Sequence, residues 1–99
     1  MKKIYFAGSI RGGRIDADIY NEDMAWLNES DILIGECSCP SLGVGYELAY
    51  AEKIGKPCHI FYDSSKTKLS AMLTGNPYFI IHPYTKEEEI YPIIDQILS

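Results

Sequence analysis

The chain has 99 residues, of which 46% are hydrophobic and 23% charged, so it can build the core of one globular domain and is not intrinsically disordered. Nine basic against 14 acidic residues give a formal net charge of −5, which argues against a protein dedicated to binding nucleic acid polymers. No apolar run approaches the about 20 residues that a membrane-spanning helix needs, and the apolar stretch after the basic start is too short for a signal peptide. We therefore expect a cytoplasmic protein without a membrane segment.

The first predicted unit is a strand followed by a helix. Residues 4–7 are apolar and favour a strand, which Gly8 ends. A helical pattern covers 16–30, and Asp16 or Asp18 is placed to cap it.

The rest of the chain repeats this alternation. In order, the pattern predicts a strand over 32–37, a helix over 46–54, a strand over 57–62, a short helix over 69–73, a strand over 78–81 and a helix over 86–98. We expect Gly55 to end the second helix, and Pro92 to bend the last one or delay its start. The strands are continuously apolar, which is typical of a parallel sheet covered on both faces. We therefore predict a single α/β domain over residues 1–99.

Two glycine-rich loops, 8–14 and 39–45, follow the first two predicted strands. Ligands of parallel sheets bind at the carboxyl ends of the strands, and both loops lie at that edge. The second loop leads into a helix, so its N–H groups and the positive end of the helix dipole suit a phosphate. The first loop carries Arg11 and Arg14 as charge partners for an anion. On spacing alone, the second loop is explained equally well as a tight turn between a strand and a helix. The first loop is explained equally well as a solvated loop.

Two acidic residues of the predicted helices, Asp23 and Glu47, are candidates for chemistry. Glu47 lies near the start of a helix that begins at the ligand edge of the sheet, and Asp23 has no basic residue four positions after it. A pair of carboxyl groups suits cleavage of a glycosidic bond, in which one group attacks or stabilises the anomeric carbon and the other protonates the leaving group. From spacing alone, each is also explained as a solvated charge on a helix.

The cysteines and histidines do not form a metal-binding pattern. Cys37, Cys39 and Cys58 are an odd number without a C-x-x-C motif, which disfavours a disulfide framework. Together with His59 and His82 they lack the paired spacing of a zinc site. We expect no metal, and we expect the two cysteines in apolar strands, Cys37 and Cys58, to fill core volume.

Several segments of the chain together resemble one known family. These segments are 5–14, 23–27 and 40–48, and a fourth, 69–72, matches a further motif. They are similar to the 2′-deoxynucleoside 5′-phosphate N-hydrolases, within the nucleoside 2-deoxyribosyltransferase superfamily. The resemblance implies a flavodoxin-like (Rossmann-like) three-layer fold and hydrolysis of the N-glycosidic bond of a deoxynucleoside 5′-monophosphate. It implies no cofactor.

The resemblance also implies roles for residues at matching motif positions. Glu47 is implied as the nucleophile that captures C1′ of the deoxyribose, Asp23 as the general acid that protonates the departing base, and Tyr5 as the group that orients Glu47. Ser70 is implied to reach the substrate from the neighbouring subunit of a homodimer. The residues implied to surround the 5′-phosphate are Gly8, Ser9, Ile10, Arg11, Ser41 and Gly43.

Ser41 bears on which reaction of the superfamily the chain performs. The transferases carry an aspartate six residues before the nucleophile, where it accepts a hydrogen bond from a free 5′-hydroxyl. Ser41 occupies this position here. A carboxylate repels a phosphate dianion whereas a hydroxyl donates to it, so Ser41 and Arg11 favour a nucleotide over a nucleoside. A deoxyribosyltransferase and a non-catalytic nucleotide-binding module are the alternatives.

The chain departs from the family pattern between Arg14 and Ile15, where other members carry a further helix, strand and loop of about forty residues. Their absence removes part of the wall that faces the base, including a histidine. The missing strand would be a sheet edge, so four parallel strands can remain without it. The missing helix would cover the face otherwise shielded mainly by the C-terminal helix, so we expect apolar surface there that is exposed or buried against a partner. The alternative is a native protein that contains this segment.

Overall fold

The computed structural model describes residues 2–8 and 15–99, in which strands and helices alternate. Their bounds, in chain order, are β1 (Ile4–Ala7), α1 (Asp16–Glu29), β2 (Ile32–Glu36), α2 (Leu42–Lys53), β3 (Cys58–Asp63), α3 (Ala71–Thr74), β4 (Ile80–Tyr84), a 3₁₀ turn (Glu87–Glu89) and α4 (Ile90–Leu98). Every predicted strand and helix is present, although β4 begins later in the chain than predicted. In this described part of the chain, no helix is both long and apolar enough to cross a bilayer.

All four strands are parallel and lie in the order β1-β2-β3-β4. In this register Tyr5 lies beside Leu33, and Leu33 lies beside Cys58. Neighbouring parallel strands need a crossover connection, and the helices between them supply it. The predicted α/β fold with a parallel, Rossmann-like or flavodoxin-like sheet is confirmed.

Successive residues of each strand point to opposite faces of the sheet, and each face has its own core. On one face α1 and α2 cover the sheet, and Leu27, Leu33, Leu48 and Ile60 in this core are at most 1% exposed. The apolar residues of the other face are Ile32, Ile34 and Phe61 of the sheet with Ile90, Ile93, Ile94 and Ile97 of α4. Helix, sheet and helix thus form three layers, and burial on both sides explains the continuously apolar strands.

The start of α1 differs from the sequence prediction. Neither Asp16 nor Asp18 is the cap, because Ile15 is the N-cap residue and makes no side-chain hydrogen bond. Both aspartates lie instead in the first turn, where the helix dipole stabilises a negative charge. In α4, Pro92 lies in the first turn, where its missing N–H costs no helical hydrogen bond, and the helix proper begins only at Ile90.

The second helix, α2, begins at Leu42 although its start was predicted at residue 46. The cause is Ser41, whose Oγ accepts a hydrogen bond from the Val44 N–H at 3.2 Å and so caps the helix. The two glycines of the second loop therefore lie in the first turn of a helix. Gly55 follows the end of α2 with a φ of 75°, as predicted for a C-terminal glycine.

β1 is an edge of the sheet, since β2 is its only partner among the described strands. Phe6 is 63% exposed, whereas Ile4, two residues before it on the same face, packs partly against the α4 core. The exposure of Phe6 agrees with the expectation that a chain without a further strand and helix here leaves apolar surface uncovered. The junction between Arg14 and Ile15 falls partly outside the described residues.

Lys56 ties the end of α1 to the segment that follows α2. Its Nζ donates to the carbonyl oxygens of Leu27 at 2.7 Å and Asn28 at 3.2 Å, and also to that of Ser30. These carbonyls lie at the C-terminal end of α1, where a cation interacts favourably with the helix dipole. The Tyr50 O–H of α2 donates to the Asn28 Oδ1 at 2.9 Å. The two helices are thereby held side by side, which fixes the side chains between them.

Candidate active site

Tyr5 of β1 and Glu47 of α2 are 42 residues apart in the chain and are joined by a hydrogen bond, in which the Tyr5 O–H donates to Glu47 Oε2. Tyr5 is buried on the sheet face that carries α1 and α2, and Glu47 is half-buried. Asp23 of α1 is near enough to affect the ionisation of both groups. The three residues that the resemblance implies as catalytic therefore meet between β1, α1 and α2, and we call them the carboxylate cluster.

The ionisation of this cluster is set by burial and by neighbouring charge. Burial raises the pKa of Tyr5, and the hydrogen bond to Glu47 and the negative charges of Glu47 and Asp23 raise it further. Tyr5 therefore keeps its proton and remains a hydrogen-bond donor at neutral pH. Burial also raises the pKa of Glu47; the hydrogen bond from Tyr5 opposes this rise, and the charge of Asp23 adds to it.

This arrangement suits chemistry at a glycosidic carbon. Such reactions use two carboxyl groups in different environments, one as nucleophile and the other as proton donor. The hydrogen bond from Tyr5 orients the carboxylate of Glu47 and favours its ionised form, which a nucleophile requires. Asp23 lies beside it on a different helix, where it is half-buried.

The start of α2 carries groups that suit an anion. Because the Ser41 Oγ accepts the Val44 N–H, its own hydroxyl proton is left to donate. Gly43 is exposed in the first turn, where a Cβ would meet, among residues 2–8 and 15–99, only the Ser41 Oγ, at 3.8 Å. A Cβ at Gly8, at the end of β1, would meet no atom of the described residues within 4 Å. Packing thus leaves space at both glycines, and the N–H groups at the start of α2 can be approached by a ligand.

A groove with a volume of about 810 Å³ lies between α2 and the segment that leads into α3. Ser41 and Ser70 both line it, so one chain brings these two predicted residues to the same groove. Ser70 caps α3, since its Oγ accepts the Met72 N–H at 3.1 Å. Leu42 and Met72 stand at the groove with 97% and 81% of their surface exposed. The carboxylate cluster does not line this groove and faces another side of α2.

Three of the predicted phosphate-binding residues are not described. Ser9, Ile10 and Arg11 lie outside the described residues, so their arrangement around a phosphate stays a prediction. Of the predicted phosphate-binding set, the structure describes Gly8, Ser41, Gly43 and Ser70.

The cysteines and histidines lie apart from the carboxylate cluster. Cys58 is 1% exposed in the core, where burial raises its pKa to about 12, and Cys37 is half-buried. His59 Nδ1 and His82 Nε2 lie 3.0 Å apart on neighbouring strands. Within residues 2–8 and 15–99, no three histidine, cysteine, aspartate or glutamate residues are grouped so that they could hold a metal ion.

The sequence prediction did not single out Tyr20 of α1 and Tyr46 of α2, whose side chains contact each other. Their ring centroids are 6.4 Å apart, and both side chains are 55% exposed. With eight tyrosines in the chain, composition alone does not distinguish this pair. The available signal was spacing, since Tyr20 lies three residues before Asp23 and Tyr46 directly before Glu47.

Removing the Tyr5 hydroxyl tests the electrostatics of the cluster. Tyr5→Phe deletes the hydrogen bond that stabilises the charged carboxylate of Glu47, so we expect the pKa of Glu47 to rise further. Asp23→Asn removes a nearby negative charge and is expected to lower the same pKa. Carbon NMR titration of glutamate-labelled protein measures both changes. Tyr84→Phe, which removes a donor to Glu36 instead, is the control, and a Glu47 pKa unchanged in Tyr5→Phe would contradict the account.

Comparison with known proteins identifies relatives, although no protein-family model matches the chain. The chain is 39% identical over 93 residues to a Syntrophotalea carbinolica protein with the provisional name 2′-deoxynucleoside 5′-phosphate N-hydrolase 1, covering 93% of this chain and 63% of that protein. It is 32% identical over 140 residues to the 5-hydroxymethyl-dUMP N-hydrolase of Tetraodon nigroviridis, and this match covers 98% of this chain and 94% of that protein. The 5-hydroxymethyl-dUMP N-hydrolase of Branchiostoma floridae is 41% identical over 88 residues, and this match covers 85% of this chain and 83% of that protein.

The chain lacks counterparts for part of two of these relatives. It spans 63% of the length of the Syntrophotalea protein. The alignment with the Tetraodon protein has 140 positions against the 99 residues of this chain, so about forty of its positions have no counterpart here. Nonetheless, identities of 32% to 41% extend over most of the chain. The chain therefore belongs to the family of 2′-deoxynucleoside 5′-phosphate N-hydrolases.

Proposed function

We propose that the chain hydrolyses the N-glycosidic bond of 2′-deoxynucleoside 5′-monophosphates and releases a free base and 2-deoxyribose 5-phosphate. The observation that carries this proposal is the carboxylate cluster, in which Tyr5 donates to Glu47 with Asp23 close to both. Membership of the family supports it, since the relatives are named for N-hydrolysis of deoxynucleotides.

Glu47 is the nucleophile of the proposed reaction. One of its oxygens bonds to C1′ of the deoxyribose as the bond from C1′ to the base breaks, and Asp23 gives a proton to the departing nitrogen. Water then attacks C1′, passes a proton to Asp23 and releases the Glu47 carboxylate, so each turnover consumes one water. Tyr5 keeps the carboxylate in position, because its raised pKa preserves the phenol as a donor.

The 5′-phosphate is proposed to lie at the start of α2. A phosphate there is stabilised by the free N–H groups of the first turn and, by about 0.3–2 kcal/mol, by the helix dipole. The Ser41 hydroxyl adds a donor, and Gly43 adds no side chain that would block the approach. Residues 8–11 of the first loop are proposed to complete the site, with Arg11 as the charge partner of the phosphate.

A non-catalytic nucleotide-binding module is the second candidate function. The observation that favours it is the lack of counterparts for about forty positions of the Tetraodon enzyme. A site with fewer walls can still bind a phosphate without aligning the sugar for attack. A deoxyribosyltransferase is favoured less, because Ser41 stands where the transferases carry an aspartate.

Chromatography of the products from a panel of deoxynucleoside and ribonucleoside monophosphates tests the proposed hydrolysis. Glu47→Gln is expected to abolish base release while leaving nucleotide binding intact, because the neutral amide is a poor nucleophile. Asp23→Asn is expected to lower the rate by roughly 10²–10⁴, the usual contribution of a general acid. Glu29→Gln, which changes an exposed carboxylate at the end of α1, is the control.

Two outcomes would contradict this reaction. Base release at the full rate by Glu47→Gln would exclude the proposed nucleophile. Nucleotide binding by the unaltered protein without release of any base would favour the binding module.

Ser41→Asp tests the phosphate site. Aspartate caps a helix as well as serine does, so α2 is preserved, but its charge repels a phosphate dianion. We expect kcat/KM for the monophosphate to fall about 10- to 100-fold relative to that for the nucleoside, the equivalent of a charged hydrogen bond. Ser41→Asn, an uncharged cap, is the matched control. If Ser41→Asp lowers kcat/KM equally for the nucleotide and the nucleoside, the phosphate does not bind at Ser41.

A homodimer is proposed to complete the site, with Ser70 reaching the phosphate bound by the neighbouring subunit. Its support is the exposed Leu42 and Met72, which offer apolar surface that association would bury.

Mixed dimers of two defective variants test this arrangement. Ser70→Ala is expected to lose about 10- to 100-fold in kcat/KM, and Glu47→Gln to be inactive. If Ser70 acts across the interface, a dimer with one subunit of each variant has one site with both Glu47 and Ser70, so co-expression restores activity well above that of either variant. Activity no higher than the average of the two, or a monomer at micromolar concentration in sedimentation, would contradict the dimer.

A further inference from the structure

Tyr20 of α1 and Tyr46 of α2 form an exposed aromatic pair that belongs to neither core. Their ring centroids are 6.4 Å apart and their planes are inclined by 59°. Each side chain is 55% exposed. The interaction with Tyr46 raises the pKa of Tyr20. Two large rings thus contact each other at the surface.

The pair lies one helical turn from the carboxylate cluster. Tyr20 precedes Asp23 by three residues, so the two side chains emerge on the same side of α1. Tyr46 directly precedes Glu47 on α2. Tyr20 contacts Tyr46, and Asp23 is near enough to affect Glu47, so both pairs bridge α1 and α2.

The direction of the helices places the rings on the ligand side of the carboxylates. α1 and α2 run the same way, since Tyr20 lies beside Tyr46 and, further along both helices, Asn28 is bonded to Tyr50. The rings therefore lie nearer the starts of the two helices than the carboxylates do. The helix starts follow the carboxyl ends of the strands. This is the edge at which parallel sheets bind ligands.

The proposed reaction determines where the base of a substrate lies. The base is bonded to C1′, which Glu47 attacks, and its departing nitrogen must touch Asp23. With the phosphate at the start of α2, the base extends toward α1. One turn of helix rises about 5.4 Å, so a base in contact with Asp23 comes within reach of the ring of Tyr20.

We propose that Tyr20 and Tyr46 form the platform on which the nucleobase of the substrate stacks. The inference rests on the proposed function for the position of the base. Because the rings are inclined to each other and half exposed, a ring face is open to a planar ligand. Stacking on an aromatic side chain tolerates every base, so the platform contributes affinity for the base without requiring one base edge.

Binding to the Glu47→Gln protein tests the platform without turnover. Calorimetry measures its affinity for deoxyadenosine 5′-monophosphate and for 2-deoxyribose 5-phosphate, which shares the sugar and phosphate but has no base. With Tyr20→Leu and Tyr46→Leu added, we expect about 5- to 100-fold weaker nucleotide binding and unchanged binding of the sugar phosphate. Phenylalanine at both positions keeps the rings and is expected to retain nucleotide affinity. Tyr91→Leu, a 55% exposed tyrosine of α4, is the control.

The outcomes separate the platform from the hydrolysis. If the two leucine substitutions weaken the affinity for both ligands equally, or leave the affinity for the nucleotide unchanged, the platform is overturned. If the unaltered protein releases no base but its nucleotide affinity depends on the rings, the hydrolysis fails and the platform stands. If base release has the same kcat/KM without the two rings, the platform alone fails. Absence of nucleotide binding to the Glu47→Gln protein would overturn both.

Discussion

The hydrogen bond from Tyr5 to Glu47 keeps one carboxylate in place beside another, and the arrangement of the candidate site depends on it. Two neighbouring carboxylates repel each other, and burial withdraws part of their hydration. A phenol that keeps its proton at neutral pH offsets both effects for Glu47, because it donates a hydrogen bond without carrying a charge. A carboxylate positioned in this way beside a second carboxyl group suits the proposed reaction, in which one group attacks and the other donates a proton. The scaffold serves this contact by packing α1 and α2 on the same face as the buried Tyr5.

α2 is the element that joins the two halves of the proposed site. One side of this helix faces the carboxylate cluster, and another lines the groove shared by Ser41 and Ser70. Its first turn lies between them and presents the N–H groups proposed to hold the phosphate. The Ser41 cap therefore has two consequences: it starts the helix early enough to expose Gly43 in the first turn, and it leaves a hydroxyl proton for an anion. In the proposed function, a substrate held at this turn by its phosphate presents its sugar to Glu47.

The sequence predicted the fold well because parallel strands buried on both faces leave a plain signature of apolar runs, as in 32–37, between helical patterns. It predicted the start of α2 poorly, since glycines suggested a loop where the Ser41 cap begins a helix. The contact between Tyr5 and Glu47 spans 42 residues and has no periodic signal, so only the resemblance to a family brought them together beforehand. The contact between Tyr20 and Tyr46 likewise joins residues far apart in the chain, and the spacing of each from Asp23 or Glu47 was the one signal for it.

The most direct test of the account is the identity of the group that bonds to C1′. Rapid acid quenching of the protein with a deoxynucleoside 5′-monophosphate, followed by peptide mass spectrometry, detects a covalent intermediate. The account predicts a 2-deoxyribosyl 5-phosphate group on the peptide that contains Glu47, formed as base is released and absent from Glu47→Gln. A deoxyribosyl group on a different residue, or base release by Glu47→Gln, would contradict it.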